Sequence, residues 1–341
     1  MTRTVATPPG SLNKIDGRWS ILSLIGALTM SQTLKPARWA AVLVLIVIAG
    51  ASLAIQAQQG AAGPRKKLLF LTYPGVGAPG SHGHPSLPAA EAQTTEFGKS
   101  GGFDVTTLKG YEPGVGKQDL SFFTPAYLSQ FDGLMLMTNG EIGLTPVQKK
   151  AIVDFVRNGK AFVGVHCATV MLYDFPEYGE MLGAYYFNSM ATPLLGNDVP
   201  VNQRRVGVLK VEDTRHPATR MLGTTWPVAE EFYVFASAPW NEKNPEANLS
   251  SPGNFKAPMG FSRDRVHVLL SLDTERTNID GFAPRANVKK GGDYPQAWTR
   301  NWGQGRVFYT SLGHLAETWT NDSVFRAHLT GGIRWALGLE K

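Results

Sequence analysis

One cysteine, Cys167, stands among the 341 residues. That excludes an intramolecular disulfide and any zinc site built from several thiolates. Charge is scarce at 18%, and its apparent bias is local. Of 33 basic and 27 acidic residues, 5 and 1 lie in the first 57 positions, leaving 28 and 26 and a net of only +2. No basic stripe interleaved with aromatics appears, so nucleic acid is excluded as an expected partner. There is no internal repeat and no HExxH, and the one HxH, His82-Gly83-His84, lies in a Gly/Pro-rich loop. What is present is a hydrophobic fraction of 43% with 8 Trp, enough for a sizeable core and unlike a disordered chain.

The N-terminus reads as a targeting segment. Lys35 and Arg38 precede the apolar run Trp39 to Ala49, and Ala54-Ile55-Gln56-Ala57 offers small residues for cleavage. Residues 1–57 are therefore expected to be a signal peptide, with Met30 as a start that gives a conventional short n-region. The mature protein is then periplasmic or secreted, and an uncleaved membrane anchor is the alternative. Residues 58–65 read as a linker and 66–341 as one domain.

From Arg65 onward, strand and helix patterns alternate. Lys67–Tyr73, Phe103–Leu108, Gly133–Thr138 and Ala161–Val165 read as strands, three of them apolar enough to be buried on both faces. Helices are expected from Pro85 to Lys99 and, behind the capping signal Thr145-Pro146-Val147-Gln148, to Arg157. The second half holds strand patterns at 206–211, 232–235, 266–272 and 305–312, separated by loops, and a closing helix over 322–337. This succession predicts an α/β fold, a doubly wound, mostly parallel sheet with helices on both faces and a loop-rich second half. In such a sheet ligands bind outside the carboxyl ends of the strands. His166 directly follows one buried strand and His314 ends the last, so both are site candidates. His267, within a strand pattern, reads as a packed core residue, and His216 as a turn or capping residue.

The segment Gly159-Lys160-Ala161-Phe162-Val163-Gly164-Val165-His166-Cys167-Ala168-Thr169 resembles the core signature of the ThuA-like (trehalose-utilisation) family. Phe175-Pro176-Glu177-Tyr178, Glu230-Glu231-Phe232-Tyr233, Tyr294-Pro295 with Trp298, and Gly303 to His314 continue the likeness in the family's order over 66–338. The resemblance implies a flavodoxin-like core of the class I glutamine-amidotransferase type and a role in sugar utilisation, including the handling of 3-keto-disaccharides. Amidotransferase relatives carry a nucleophilic Cys in a G-x-C-x-G elbow. The matching residues here are Gly164-Val165-His166-Cys167-Ala168, so a histidine takes the thiol's place and glutamine hydrolysis is not expected. Family members also carry a His-Pro near Phe187–Pro193, and that His is missing here.

Parallel topology lets groups at several strand ends converge. His166, His314, Glu231 and Glu141 are the expected catalytic set, and Asn139, Tyr173, Trp298 and Arg300 the expected sugar contacts, with Trp298 and Arg300 in a Gly-rich loop region. His84, in a His-Pro-Ser-Leu matching the family's H-x-S-I, and His166 are candidate ligands for a divalent metal such as Zn or Mn. The expected function is an exported sugar isomerase or lyase using general acid/base chemistry, with metal-free and metal-assisted forms both open. The alternative is a carbohydrate-binding protein using the same crevice. A small-molecule sugar is the expected partner, and self-association is left open.

Overall fold

The computed structural model describes residues 64–75, 84–190, 206–243, 256–281 and 288–341. Residues 1–63, on which the expected signal peptide falls, and His82 and Pro193 lie outside them. Residues 64–341 form one unit, and no helix among the described residues is long and apolar enough to cross a membrane.

Strand β1 (Lys66–Tyr73) carries Leu68 to Leu71 with no exposed surface, as its unbroken apolar run requires of a strand covered on both sides. Helix α1 (Leu87–Gly101) has Pro at its start, where a missing N–H costs nothing, and stops at Gly102 in the left-handed conformation (φ +79°). It returns the chain to β2 (Phe103–Lys109). A small hairpin, β3 (Tyr111–Glu112) with β4 (Gly116–Lys117), and the single turn α2 (Pro125–Leu128) lead to β5 (Gly133–Thr138). Helix α3 (Pro146–Arg157) opens on the capping box that its sequence announces: the Gln148 N–H donates to Thr145 Oγ1, and the Thr145 N–H donates to Gln148 Oε1. Then come β6 (Ala161–Val165), a 3₁₀ turn over His166–Thr169 and α4 (Pro176–Leu182).

The second half begins with β7 (Tyr186–Met190), β8 (Gly207–Val211), β9 (Thr225–Val228), β10 (Phe232–Phe235) and β11 (His267–Leu272). It closes with β12 (Pro295–Trp302), β13 (Gly305–Thr310), α5 (Ala316–Asn321) and α6 (Ser323–Ala336). Asp322 caps α6 by accepting the N–H groups of Val324 and Phe325.

One sheet of nine strands runs β2-β1-β5-β6-β13-β12-β11-β8-β9. The first five pair in parallel, in the order of a flavodoxin-like doubly wound sheet. The remaining four pair antiparallel. Helices α1, α5 and α6 pack together on one face, and α2, α3 and α4 on the other. Strands β7 and β10 make a separate antiparallel pair.

Two sequence readings need correction. Residues 295–302, expected as a loop region, form β12 at the centre of the sheet. Pro295 occupies the first strand position, where proline is tolerated, and the next four residues are buried. His267 is not a core residue. It is the exposed first residue of β11, its Nε2 lying 2.9 Å from Asp213 Oδ2. His216 does take the turn role, its Nδ1 accepting the Ala218 N–H.

Candidate functional site

The chain turns sharply where β6 ends. His166 has φ +48°, a left-handed conformation that is uncommon for a residue other than glycine and that marks an imposed bend. Two contacts hold it. The Tyr309 hydroxyl donates to the His166 carbonyl at 2.8 Å, and His166 Nδ1 lies 2.6 Å from the Ser311 carbonyl. A carbonyl can only accept, so Nδ1 carries the proton and the other nitrogen, Nε2, is left as the acceptor. The ring is fully buried.

Four further groups meet Nε2. The Tyr233 hydroxyl is 3.0 Å away, His314 Nδ1 3.2 Å and Glu231 Oε2 3.3 Å. His314 Nδ1 is itself 2.9 Å from Glu231 Oε2. His84 closes the group edge-on, its ring centre 4.9 Å from that of His166 and 5.5 Å from that of His314. One ring nitrogen from each of the three histidines lies within 4.8 Å of the others. His166 and His314 follow the carboxyl ends of β6 and β13, His84 lies just ahead of α1, and Glu231 and Tyr233 come from the start of β10.

Each member is braced from behind. The buried Glu230 carboxylate accepts the backbone N–H groups of Glu231 (3.0 Å), Gly313 (3.1 Å) and His314 (3.1 Å), so one side chain positions both Glu231 and His314. Gly313 has φ +117°, a conformation that admits the turn into His314 and that a side chain would strain. Gln296 pairs with the backbone of Tyr233 in both directions: its Oε1 accepts the Tyr233 N–H, and its Nε2–H donates to the Tyr233 carbonyl. Ser311 Oγ donates to the same Oε1 at 2.6 Å.

The electrostatics follow from this arrangement. Burial alone would raise the Glu231 pKa, but His314 and His166 against its carboxylate hold it well below the ordinary value. Burial pushes the His84 pKa well down, with His166 and His314 adding to the effect, so its ring stays neutral. Burial, and after it Glu231, pushes the Tyr233 phenol well up, so it remains a proton donor. The cluster therefore pairs an ionised Glu231 carboxylate with a neutral His84 ring and a protonated Tyr233 phenol.

The structure brings His166, His314, Glu231 and His84 together. It places the other sequence-predicted residues elsewhere. Glu141 faces Lys149 at 3.9 Å and bonds the backbone of Leu172 and Tyr173; burial and Asp174 raise its pKa. Asn139 donates its N–H to the Tyr73 carbonyl and packs its side chain against Gly75. Tyr173 is buried, with its hydroxyl donated to the Tyr186 carbonyl at 2.8 Å. Trp298 is fully buried, its indole N–H donating to Leu182 and its ring 4.4 Å from that of Tyr309. It is packing material two layers behind His166 rather than a surface for sugar. Arg300 lies over Trp302 and bonds the Glu180 carbonyl, at the far end of β12 from Gln296. Cys167 is fully buried and its thiol is pushed up by that burial, which suits packing and not nucleophilic attack.

Sequence reasoning missed Tyr233, Glu230 and Gln296. The first two stood in view within the block Glu230-Glu231-Phe232-Tyr233. Gln296 left no signal, since its partners lie 15 and 63 residues away.

Comparisons with known proteins bear on the family and the fold. The family model described as ThuA, trehalose utilisation, matches residues 77–253 and 254–336. A ThuA-like protein from Bacteroides uniformis is similar in structure, with a TM-score of 0.53 and 20% identity over 82% of this chain and 95% of its own. Another from Parabacteroides merdae has a TM-score of 0.53 and 19% identity over 81% of this chain and 91% of its own. At these identities the two support the fold alone. No curated protein matches at a significant level.

Proposed function

The chain belongs to the ThuA, or trehalose-utilisation, family, and on that premise we propose that it is an exported enzyme acting on sugars or keto-sugars by general acid/base chemistry. A role in carbohydrate utilisation follows from the family. The signal-peptide pattern of residues 1–57 supports export. The observation that carries the chemistry is the meeting of the ionised Glu231 carboxylate with His166, His314 and the protonated Tyr233 phenol at the carboxyl ends of the parallel strands.

A carboxylate beside hydrogen-bond donors suits proton abstraction next to a ketone. Glu231 takes the proton of the C–H adjacent to the carbonyl. The C–H electron pair becomes a C=C bond and the carbonyl oxygen becomes an oxyanion, which the electrophilic side of the cluster receives. Return of the proton to the former carbonyl carbon, with the hydroxyl proton on the deprotonated carbon passing to the oxyanion so that a carbonyl forms there, completes an isomerisation. Departure of a β-oxygen substituent, taking up a proton as its C–O bond breaks, completes an elimination.

The test is NMR in deuterated water with a panel of sugars and 3-keto-sugars. Exchange or rearrangement next to the ketone is expected, falling at least about 100-fold in Glu231→Gln. A second reading, binding without turnover, is favoured by Asn188 and Ser189 standing near the family's missing His, on the strand paired with Tyr233. Saturable sugar binding with no exchange supports that reading, and neither binding nor exchange overturns both.

A further inference from the structure

We propose that His84 Nδ1, His166 Nε2 and His314 Nδ1 hold one divalent transition-metal ion, of the Zn²⁺ class, with the Glu231 carboxylate against its open positions. It concerns the same site as the reading above, yet its readout is metal content, so either can fail alone.

Three independent features carry it. His84 Nδ1 is buried and has no hydrogen-bond partner, a costly state for a ring nitrogen enclosed by protein. A lone pair directed at a cation removes that cost. His166 is fixed in the one tautomer that offers Nε2 as a ligand, because Nδ1–H is spent on the Ser311 carbonyl. This backbone brace behind the ring is the usual support of a metal-binding imidazole. The spacing fits for one pair. Bonds of about 2.1 Å at tetrahedral angles set ligand nitrogens roughly 3.4 Å apart, and the His166 and His314 nitrogens are 3.2 Å apart, while one nitrogen from each of the three rings lies within 4.8 Å of the others.

Without a cation, the donors to these lone pairs are the Tyr233 hydroxyl, 3.0 Å from His166 Nε2, and a His314 Nδ1–H, 2.9 Å from Glu231 Oε2. His84 Nδ1 has neither as a partner, and a cation satisfies it. Three imidazoles with a carboxylate alongside suit a borderline ion such as Zn²⁺ better than Mg²⁺ or Ca²⁺, which prefer oxygen. Three protein nitrogens also leave a position for water or a sugar oxygen, as catalytic zinc sites do. Glu231 then remains free to accept a proton from what binds there, and Tyr233 to donate one.

The experiment is elemental analysis of the purified full chain, followed by removal of metal with a chelator and titration with Zn²⁺, Mn²⁺, Co²⁺ and Mg²⁺, read by calorimetry and thermal unfolding. About one ion per chain is expected, with Zn²⁺ or Co²⁺ restoring the Tm lost on chelation and Mg²⁺ without effect. His84→Ala and His314→Ala are expected to lose stoichiometric metal, and Glu231→Gln to keep it. Circular dichroism on the His84→Ala protein, altered in a loop, separates metal loss from misfolding. Absence of metal in the wild type with no binding of any of the four ions overturns the proposal. So does metal retained equally in His84→Ala and His314→Ala, which would place the ion elsewhere.

Discussion

The two halves of the sheet do different work. The parallel half, β2-β1-β5-β6-β13, supplies His166 and His314 just past the ends of its strands and His84 ahead of α1. The antiparallel half, β12-β11-β8-β9, gives the cluster no side chain of its own but holds Gln296, which fastens the β10 backbone bearing Tyr233. The β7–β10 pair thus brings the acid and the phenol to His166. A doubly wound sheet furnishes a place for chemistry, and here a separate strand pair furnishes the carboxylate and the phenol.

If that division holds, the largest effect comes from cutting the fastening. Gln296→Leu strands the Tyr233 N–H and carbonyl and the Ser311 hydroxyl in the interior. At about 1–3 kcal/mol for each unsatisfied group, a loss near 4 kcal/mol is expected in urea unfolding. A loss below about 1 kcal/mol would show the two halves to be joined by other means.

Acid should act next, and through the parallel half. His328 on α6 is fully buried between the Ala218 carbonyl and Thr310 Oγ1, and its pKa is lowered to about 4, chiefly by burial. The unfolded chain, with an ordinary His pKa near 6.5, therefore binds more protons than the folded one between pH 6.5 and 4. Stability should be full above pH 6.5 and fall on acidification through that window, by about 3 kcal/mol from this residue. Unfolding measured across pH should show a shallower decline in His328→Gln.

How much was visible beforehand also divides along the sheet. In the parallel half the period was unambiguous. Leu68–Leu71 and Ala161–Val165 are apolar without interruption, and Thr145 to Gln148 announce a helix start through local hydrogen bonds. His166 and His314 could be placed because a buried strand ended just before each. In the antiparallel half the strands are short or mixed in composition. Residues 295–302 combine Pro, Arg, Asn and two Trp, and only pairing with β11 and β13 makes them a strand. His267 shows the limit at a single residue: position 268 is buried and 267 is not, a choice set by register with neighbours remote in sequence. Tyr173 and Trp298 were credited with sugar contacts on their aromatic character, and burial has already used both.

Smaller effects sharpen the same contrast. Thr145→Ala removes one side of the capping box on α3 and should cost about 1 kcal/mol in thermal or urea unfolding, with no change in metal content or sugar handling. Arg300→Ala, at the far end of β12, should leave sugar affinity within about 2-fold by titration calorimetry, a change under about 0.5 kcal/mol. A larger loss would return Arg300 to the site.

The bend at His166 has a consequence of its own. Its left-handed backbone is secured by the Tyr309 hydroxyl against its carbonyl and by the buried residues on either side, Val165 and Cys167. Position 166 is in effect a fixture whose aim is set by the wall behind it and not by the tool mounted there. A lineage that altered this one residue would point a different functional group at the same spot without recasting the scaffold.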